Sequence, residues 1–298
     1  MGTLKWAFGL GKEALTAWSE DRVRRTAAAL AFYAVLSLAP LLVVAVAVAG
    51  LFFGEQAARG QIAAELSDLM GESAGEGIQT LLAHAQAPAQ GLWGSIFGSL
   101  VLLLGASGVF GELQAALNDV WNVAPKPGRG VVGLLRDRFF SFAMVMGVCC
   151  FLLLSLLLST FLSAAGALFS SALPGGAGLW ALLDFLISML VIALLFALIL
   201  KVVPDIEIAW RHVFPGALAT ALLFSAGKFL LGLYLGRASV ASPYGAAGSV
   251  VVLVIWIYYA AQIFLLGAEL TRVFARARGA AVVPSRGAIA LPGAVAPP

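Results

Sequence analysis

The stretch Tyr244-Gly245-Ala246-Ala247-Gly248-Ser249-Val250-Val251-Val252-Leu253-Val254-Ile255-Trp256-Ile257-Tyr258-Tyr259 runs on through Gln262 to Gly267-Ala268-Glu269-Leu270 and closes on Arg272, Arg276 and Arg278. A small-residue turn opens it, and no charge falls between Val250 and Ala268. A helix needs about 20 apolar residues to cross a bilayer core, so this is a membrane span. Its polar residues Tyr258, Gln262, Glu269, Arg272 and Arg276 recur at helical spacings and form one stripe. Such a stripe is costly against lipid. It must face other helices or a wet cavity, and the remaining spans must cover it.

Composition agrees with this reading. The 298 residues are 61% hydrophobic and 11% charged, with a mean hydropathy of +0.99. Soluble domains carry about 25% charged residues, so the chain is an integral membrane protein. Most of its length goes into spans, which implies one all-α bundle. Cys149 and Cys150 are adjacent within an apolar run and read as small core residues, with neither a disulfide framework nor metal spacing.

Residues 1–25 lack the apolar core of a signal peptide. Leu4, Phe8, Leu15 and Trp18 at helical spacings, with Lys5 and Lys12 beside them, predict a short amphipathic helix. It either lies on the membrane surface or packs on the cytoplasmic loops. The first span covers about 26–53, and Pro40 near its middle removes a backbone hydrogen bond. Tyr33, Ser37 and Pro40 share a face, which marks either a hinge or bundle packing; packing is the commoner meaning. Residues 54–90 carry Glu55, Glu65, Asp68, Glu72 and Glu76 against a single Arg59. Their apolar spacing, broken between Gly71 and Gly75, predicts a helical hairpin outside the bilayer.

The second span covers about 92–110 and continues as a helix toward Trp121; Gly94, Gly98, Gly105 and Gly108 give it a smooth stripe for close helix approach. The third span covers about 139–161, the fourth 179–203, the fifth 210–236 and the sixth 250–270. Residues 279–298 are rich in Ala, Gly and Pro and read as a disordered tail.

Lys and Arg are sorted by loop. Fifteen fall on the side of both termini and two on the other, and Lys228 lies within the fifth span. The positive-inside rule then puts both termini in the cytoplasm.

Several motifs resemble the YihY/virulence factor BrkB family, once labelled ribonuclease BN. They are Ala27-Ala28-Ala29-Leu30-Ala31-Phe32-Tyr33 with Leu38-Ala39-Pro40, Leu117-Asn118-Asp119-Val120-Trp121, Phe214-Pro215-Gly216-Ala217, and the opening stretch from Tyr244 to Leu270. The likeness spans about residues 22–276. It implies a six-span bacterial inner-membrane protein of a virulence-associated family, whose members have been linked to envelope properties and to moving envelope lipids. It brings no established activity.

The residues themselves do not favour an enzyme. His84 and His212 are predicted on opposite sides of the membrane, no metal-ligand cluster or P-loop occurs, and the cytoplasmic loops are too short for a nuclease domain. No catalytic residue, metal or cofactor is predicted, and no nucleic-acid partner. Polar groups at depth are the candidates for a substrate pathway. Asp184, with Ser188 on its face, and Lys228 sit roughly 8 and 12 Å in from the outer side. They are either a compensating pair or part of a path, or Lys228 snorkels outward. Glu269 with Arg272 could form a helix-surface pair. Asn118 and Gln114, four apart, are placed to hydrogen-bond a neighbouring span. With Tyr33, Ser37, Pro40, Tyr258 and Gln262 these complete the candidate set.

Two functions fit: a transporter or flippase for a lipid or amphipathic envelope molecule, or a non-transporting scaffold that binds envelope-assembly proteins through the acidic outer hairpin. Membrane lipids are the expected partners of the first. A continuous polar groove through the bundle favours transport, and a dry centre favours the scaffold.

Overall fold

The computed structural model describes residues 2–70, 75, 77–80, 108–127, 143, 147, 151, 176–237, 248–280, 283–285 and 287–291. In chain order these form α1 (Gly2–Glu20), α2 (Val23–Phe53), α3 (Glu55–Met70), α4 (108–121), β1 (Val123–Pro125), α5 (Gly176–Val202), β2 (Ile206–Glu207), α6 (Trp210–Arg237), α7 (Gly248–Ala277), β3 (Val283–Pro284) and β4 (Ala288–Ala290).

Four of the described helices are long and apolar enough to cross a membrane, over Val23–Leu51, Phe185–Val202, Trp210–Leu231 and Gly248–Ala277. They match the expected first, fourth, fifth and sixth spans. The other two expected spans lie largely outside the described residues. α4 is the predicted extension toward Trp121, and residues 143, 147 and 151 are helical. Leu36, Leu51, Phe229 and Leu230 project outward unburied, as side chains do when lipid rather than water surrounds them. α2 continues unbroken through Pro40, which is half-buried.

The tightest packing joins α6 to α7. A Cβ on Gly216 would come within 2.9 Å of the Thr271 Cα, and one on Gly267 within 2.7 Å of the Thr220 Cβ. Each threonine in turn donates to the carbonyl of the glycine four residues before it: Thr220 Oγ1 to Gly216 O at 2.7 Å, and Thr271 Oγ1 to Gly267 O at 2.8 Å. Two Gly-x-x-x-Thr motifs thus face each other across an antiparallel pair. Lipid offers no hydrophobic drive for helix association, so close approach and van der Waals contact must supply it.

The two ends of the bundle are closed differently. At one end α3 folds back over α2, where Ala63, Ile62 and Leu66 join Leu42, Val46, Ile78, Val252 and Leu253 in an apolar cluster. The outer hairpin is expected in this part, and residues 71–74, 76 and 81–90 of it lie outside the described residues. At the other end α1 packs on the last turns of α7. Trp6 meets Phe274 edge-on at 6.0 Å, and the Arg278 guanidinium stacks over Trp6 at 5.3 Å. Phe8 and Leu15 of α1 remain exposed.

The C-terminal segment corrects the expectation of disorder for residues 283–285 and 287–291. Gly279, at φ 63°, ends α7 in a left-handed turn, with Gly279 N–H bonded to Arg276 O and Ala280 N–H to Ala275 O. The chain then reverses across the end of the bundle. β3 pairs antiparallel with β2, and β4 with β1. Three further backbone bonds, from Ser285 N–H to Asp205 O, from Lys126 N–H to Gly287 O and from Leu291 N–H to Asn122 O, tie it to both loops. An Ala/Gly/Pro composition forms no core of its own, but its backbone donors and acceptors find partners in two neighbouring loops.

Candidate functional site

The charges converge at the strand end. Arg272, 5% exposed, lies one turn from the C-terminus of α7. Its Nη1 donates to Val120 O at 2.6 Å, tying α7 to α4. Its Nη2 donates to Asp21 Oδ2 at 2.7 Å, in the turn between α1 and α2. The same Nη2 stands 2.7 Å from Glu269 Oε2, one turn earlier on α7. The Glu269 approach is off-line: neither of its carboxylate oxygens has a hydrogen-bond partner, and Glu269 is 0% exposed. An ion pair is therefore present without the hydrogen bonds that ordinarily offset the desolvation of a buried carboxylate.

Backbone geometry sets these groups in place. Arg22 adopts φ 51°, a left-handed conformation uncommon for a residue with a Cβ, in the short turn that carries Asp21. Asn122 adopts φ 53° just after α4, and asparagine tolerates this region better than most residues. Beside the cluster is a cavity of about 10 Å³, lined by Asp21, Thr26, Asp119, Val120 and Leu265 among others. That is room for about one water. Asp119 stands at its rim. Partial burial, and then the neighbouring Asp21 carboxylate, raise its pKa above the ordinary carboxylate value.

A second polar contact lies at the same end. Asn118 Nδ2 donates to Asp205 Oδ2 at 2.9 Å, and Asp205 N–H donates to Asn118 Oδ1 at 2.8 Å. Asn118, 3% exposed, thus joins α4 to the loop that follows α5. The terminal segment bridges the same two loops through β1 and β2.

The candidate residues therefore divide. Glu269 and Asn118 belong to this end. Glu269 and Arg272 form a buried pair rather than the expected helix-surface pair, because α1, α2 and α4 cover that turn of α7. Asn118 bonds a loop residue and not a neighbouring span. Ser37 is buried on α2, Pro40 is half-buried, and Tyr33 is exposed. Tyr258 and Gln262 are half-buried on α7, so the predicted stripe is covered progressively toward Glu269 before Arg276 emerges into the open. Ser188 is exposed on α5 and Lys228 half-buried on α6. The Asp184 side chain lies outside the described ones, and with it the expected pairing with Lys228. Sequence reasoning missed Asp21 and Asp205. Asp21 stands beside Arg22, Arg24 and Arg25 and reads as part of a basic flank. Asp205 follows a proline after a span, which reads as an ordinary loop residue.

These features define an α-helical, multi-span membrane protein with a buried ionic cluster at one end. The chain belongs to the virulence factor BrkB family, whose profile matches residues 14–288. It is similar to a UPF0761 membrane protein of Verminephrobacter eiseniae, at 33% identity over 256 residues that cover 84% of this chain and 58% of the relative. It resembles one of Ralstonia nicotianae at 29% identity, covering 88% and 57%, and one of Pseudoalteromonas translucida at 30%, covering 85% and 81%. The chain spans somewhat over half the length of the first two. No solved structure matches it.

Proposed function

We propose that this protein is a six-span transporter or flippase of the bacterial inner membrane, with both termini cytoplasmic, that moves a lipid or amphipathic envelope molecule without covalent chemistry. The observation that carries the reading is the buried pair of Glu269 and Arg272, with Asp21 bound to it from its open side. Ionisable groups inside a span are expensive and are kept where a pathway or a moving element needs them. This cluster joins α7 to α4 and to the α1–α2 turn, so breaking it frees three elements at one end of the bundle at once. The charge sorting of the loops assigns that end to the cytoplasm. A latch at one end of a bundle is what alternating exposure of a central path requires. Tyr258 and Gln262, half-buried on the approach to the cluster, and Ser37 on α2 are the groups placed to meet a polar headgroup.

The test is reconstitution of the full chain into vesicles of phosphatidylethanolamine and phosphatidylglycerol carrying a trace of fluorescent phospholipid. Dithionite should quench more than the outer-leaflet share of the label in protein-containing vesicles, and only that share in empty ones. Equal quenching in the two rejects lipid movement.

A further inference from the structure

We propose that Glu269 is a proton-binding site, and that taking up and releasing this proton drives the latch of the preceding reading. The argument starts from a count of charge. Asp21 and Glu269 share the one guanidinium of Arg272, which leaves one negative charge in excess. The charged groups acting on Glu269 are Arg272 and Asp21. The face of α6 packed against this stretch of α7 offers Gly216 and Thr220, which carry no charge. From α4, Asp119 lines the same small cavity as Asp21; Arg24 stacks over Trp18, and Arg278 over Trp6 and Phe274.

Between the two acids the geometry chooses Glu269. The Asp21 side chain is 35% exposed and receives a direct hydrogen bond from Arg272, so water and the guanidinium both support its ionised form. Glu269 is fully buried, with both oxygens unpartnered. A negative charge in excess of its one cation, in such a place, is removed most simply by a proton.

The proton enters, on this proposal, from the Asp21 side. Solvent reaches Asp21, Asp21 lines the water-sized cavity, and Leu265 on the wall of that cavity stands one helical turn before Glu269. The step is a simple transfer. A proton leaves water at the Asp21 side and forms an O–H bond on a Glu269 oxygen, turning carboxylate into carboxylic acid with no change of oxidation state. The neutral acid no longer competes for Arg272, which then binds Asp21 and Val120 alone and holds the end closed. Release of the proton restores the excess charge and loosens the grip.

The proposal rests on the transport reading only for its purpose, and the experiment separates the two. The full chain in phosphatidylethanolamine and phosphatidylglycerol nanodiscs is measured by infrared difference spectroscopy between acidic and neutral buffer. The expected result is a C=O stretch of a protonated carboxyl in a dry site, absent from Glu269→Gln and shifted in Glu269→Asp. In matching vesicles the rate of lipid movement should change at least tenfold across the same pH range, and the Gln variant should be flat. Absence of the band, or its survival in Glu269→Gln, overturns the proton site whatever the lipids do. Should the Gln variant aggregate, the Asp variant carries the test, and an unshifted band overturns the assignment. A band that tracks Glu269 in vesicles that move no lipid keeps the proton site and ends the transport reading. The same band with lipid movement indifferent to pH overturns the coupling.

Discussion

The two ends of the bundle use opposite means of closure. At the α3 end the contacts are apolar: α3 follows α2 after Gly54, Ile62, Ala63 and Leu66 rest on Leu42 and Val46, and only Val252 and Leu253 of α7 join that cluster's buried residues from far along the chain. The ion pair of Arg59 with Glu55 at this end joins a half-buried and an exposed residue one turn apart within α3. At the strand end the contacts are directional and far apart in sequence. Arg272 reaches Asp21 across 251 positions and Val120 across 152, and Asn118 reaches Asp205 across 87. Apolar contact tolerates sliding, whereas a hydrogen bond to one carbonyl does not. The strand end therefore sets which helix sits beside which and at what height. It is also the end where a change of one charge has consequences for several elements.

The contrast depends first on the α6–α7 pair that connects the two ends. Gly267→Leu and Gly216→Leu should remove most of the folded, monodisperse protein recovered in detergent, because a Cβ at Gly216 meets Thr271 as far as its Cα, and one at Gly267 meets the Cβ of Thr220, a short side chain held by its bond to Gly216 O. Gly9→Leu and Gly11→Leu, with open space around them, should leave the yield unchanged. Equal yields for all four would show that the close approach of these helices does not hold the bundle together.

The next effect in size compares the two ion pairs. Arg272→Met strands the buried Glu269 and leaves Val120 O without its donor, and should cost about 3–5 kcal/mol. Arg59→Met, at the other end, should change stability by less than about 0.5 kcal/mol. Thermal melts in one detergent measure both. Similar losses would erase the distinction between the ends.

The smallest effect sharpens the electrostatic side of the comparison. The pKa of Asp119 is raised in the fold by burial and by Asp21. The folded chain then holds a proton that the unfolded chain has already released, so stability falls as pH rises from the ordinary carboxylate value through the raised one. Asp119→Asn should flatten that slope and raise the melting temperature slightly at neutral pH. A lower melting temperature at neutral pH would mean that the ionised carboxylate supports the end rather than burdening it.

The sequence by itself determined the class, the four described spans and the polar stripe of α7. These follow from local physics: bilayer thickness demands long apolar runs, and helical periodicity assigns residues to faces. It also pointed to Glu269 and Asn118, since polar groups near the end of an apolar run need partners. What it could not supply was the partners. Asp21 sits in a run of arginines that reads as a topology signal, and nothing local distinguishes it as a ligand for Arg272. Gly216 and Gly267 each begin a small-x-x-x-small pattern, but only the fold shows that the two patterns face one another. The segment after Gly279 has the composition of a disordered tail, and it is ordered by backbone hydrogen bonds, which side-chain composition does not encode. Tertiary structure alone decided these points, because each depends on two segments far apart in the chain meeting at one end of the bundle.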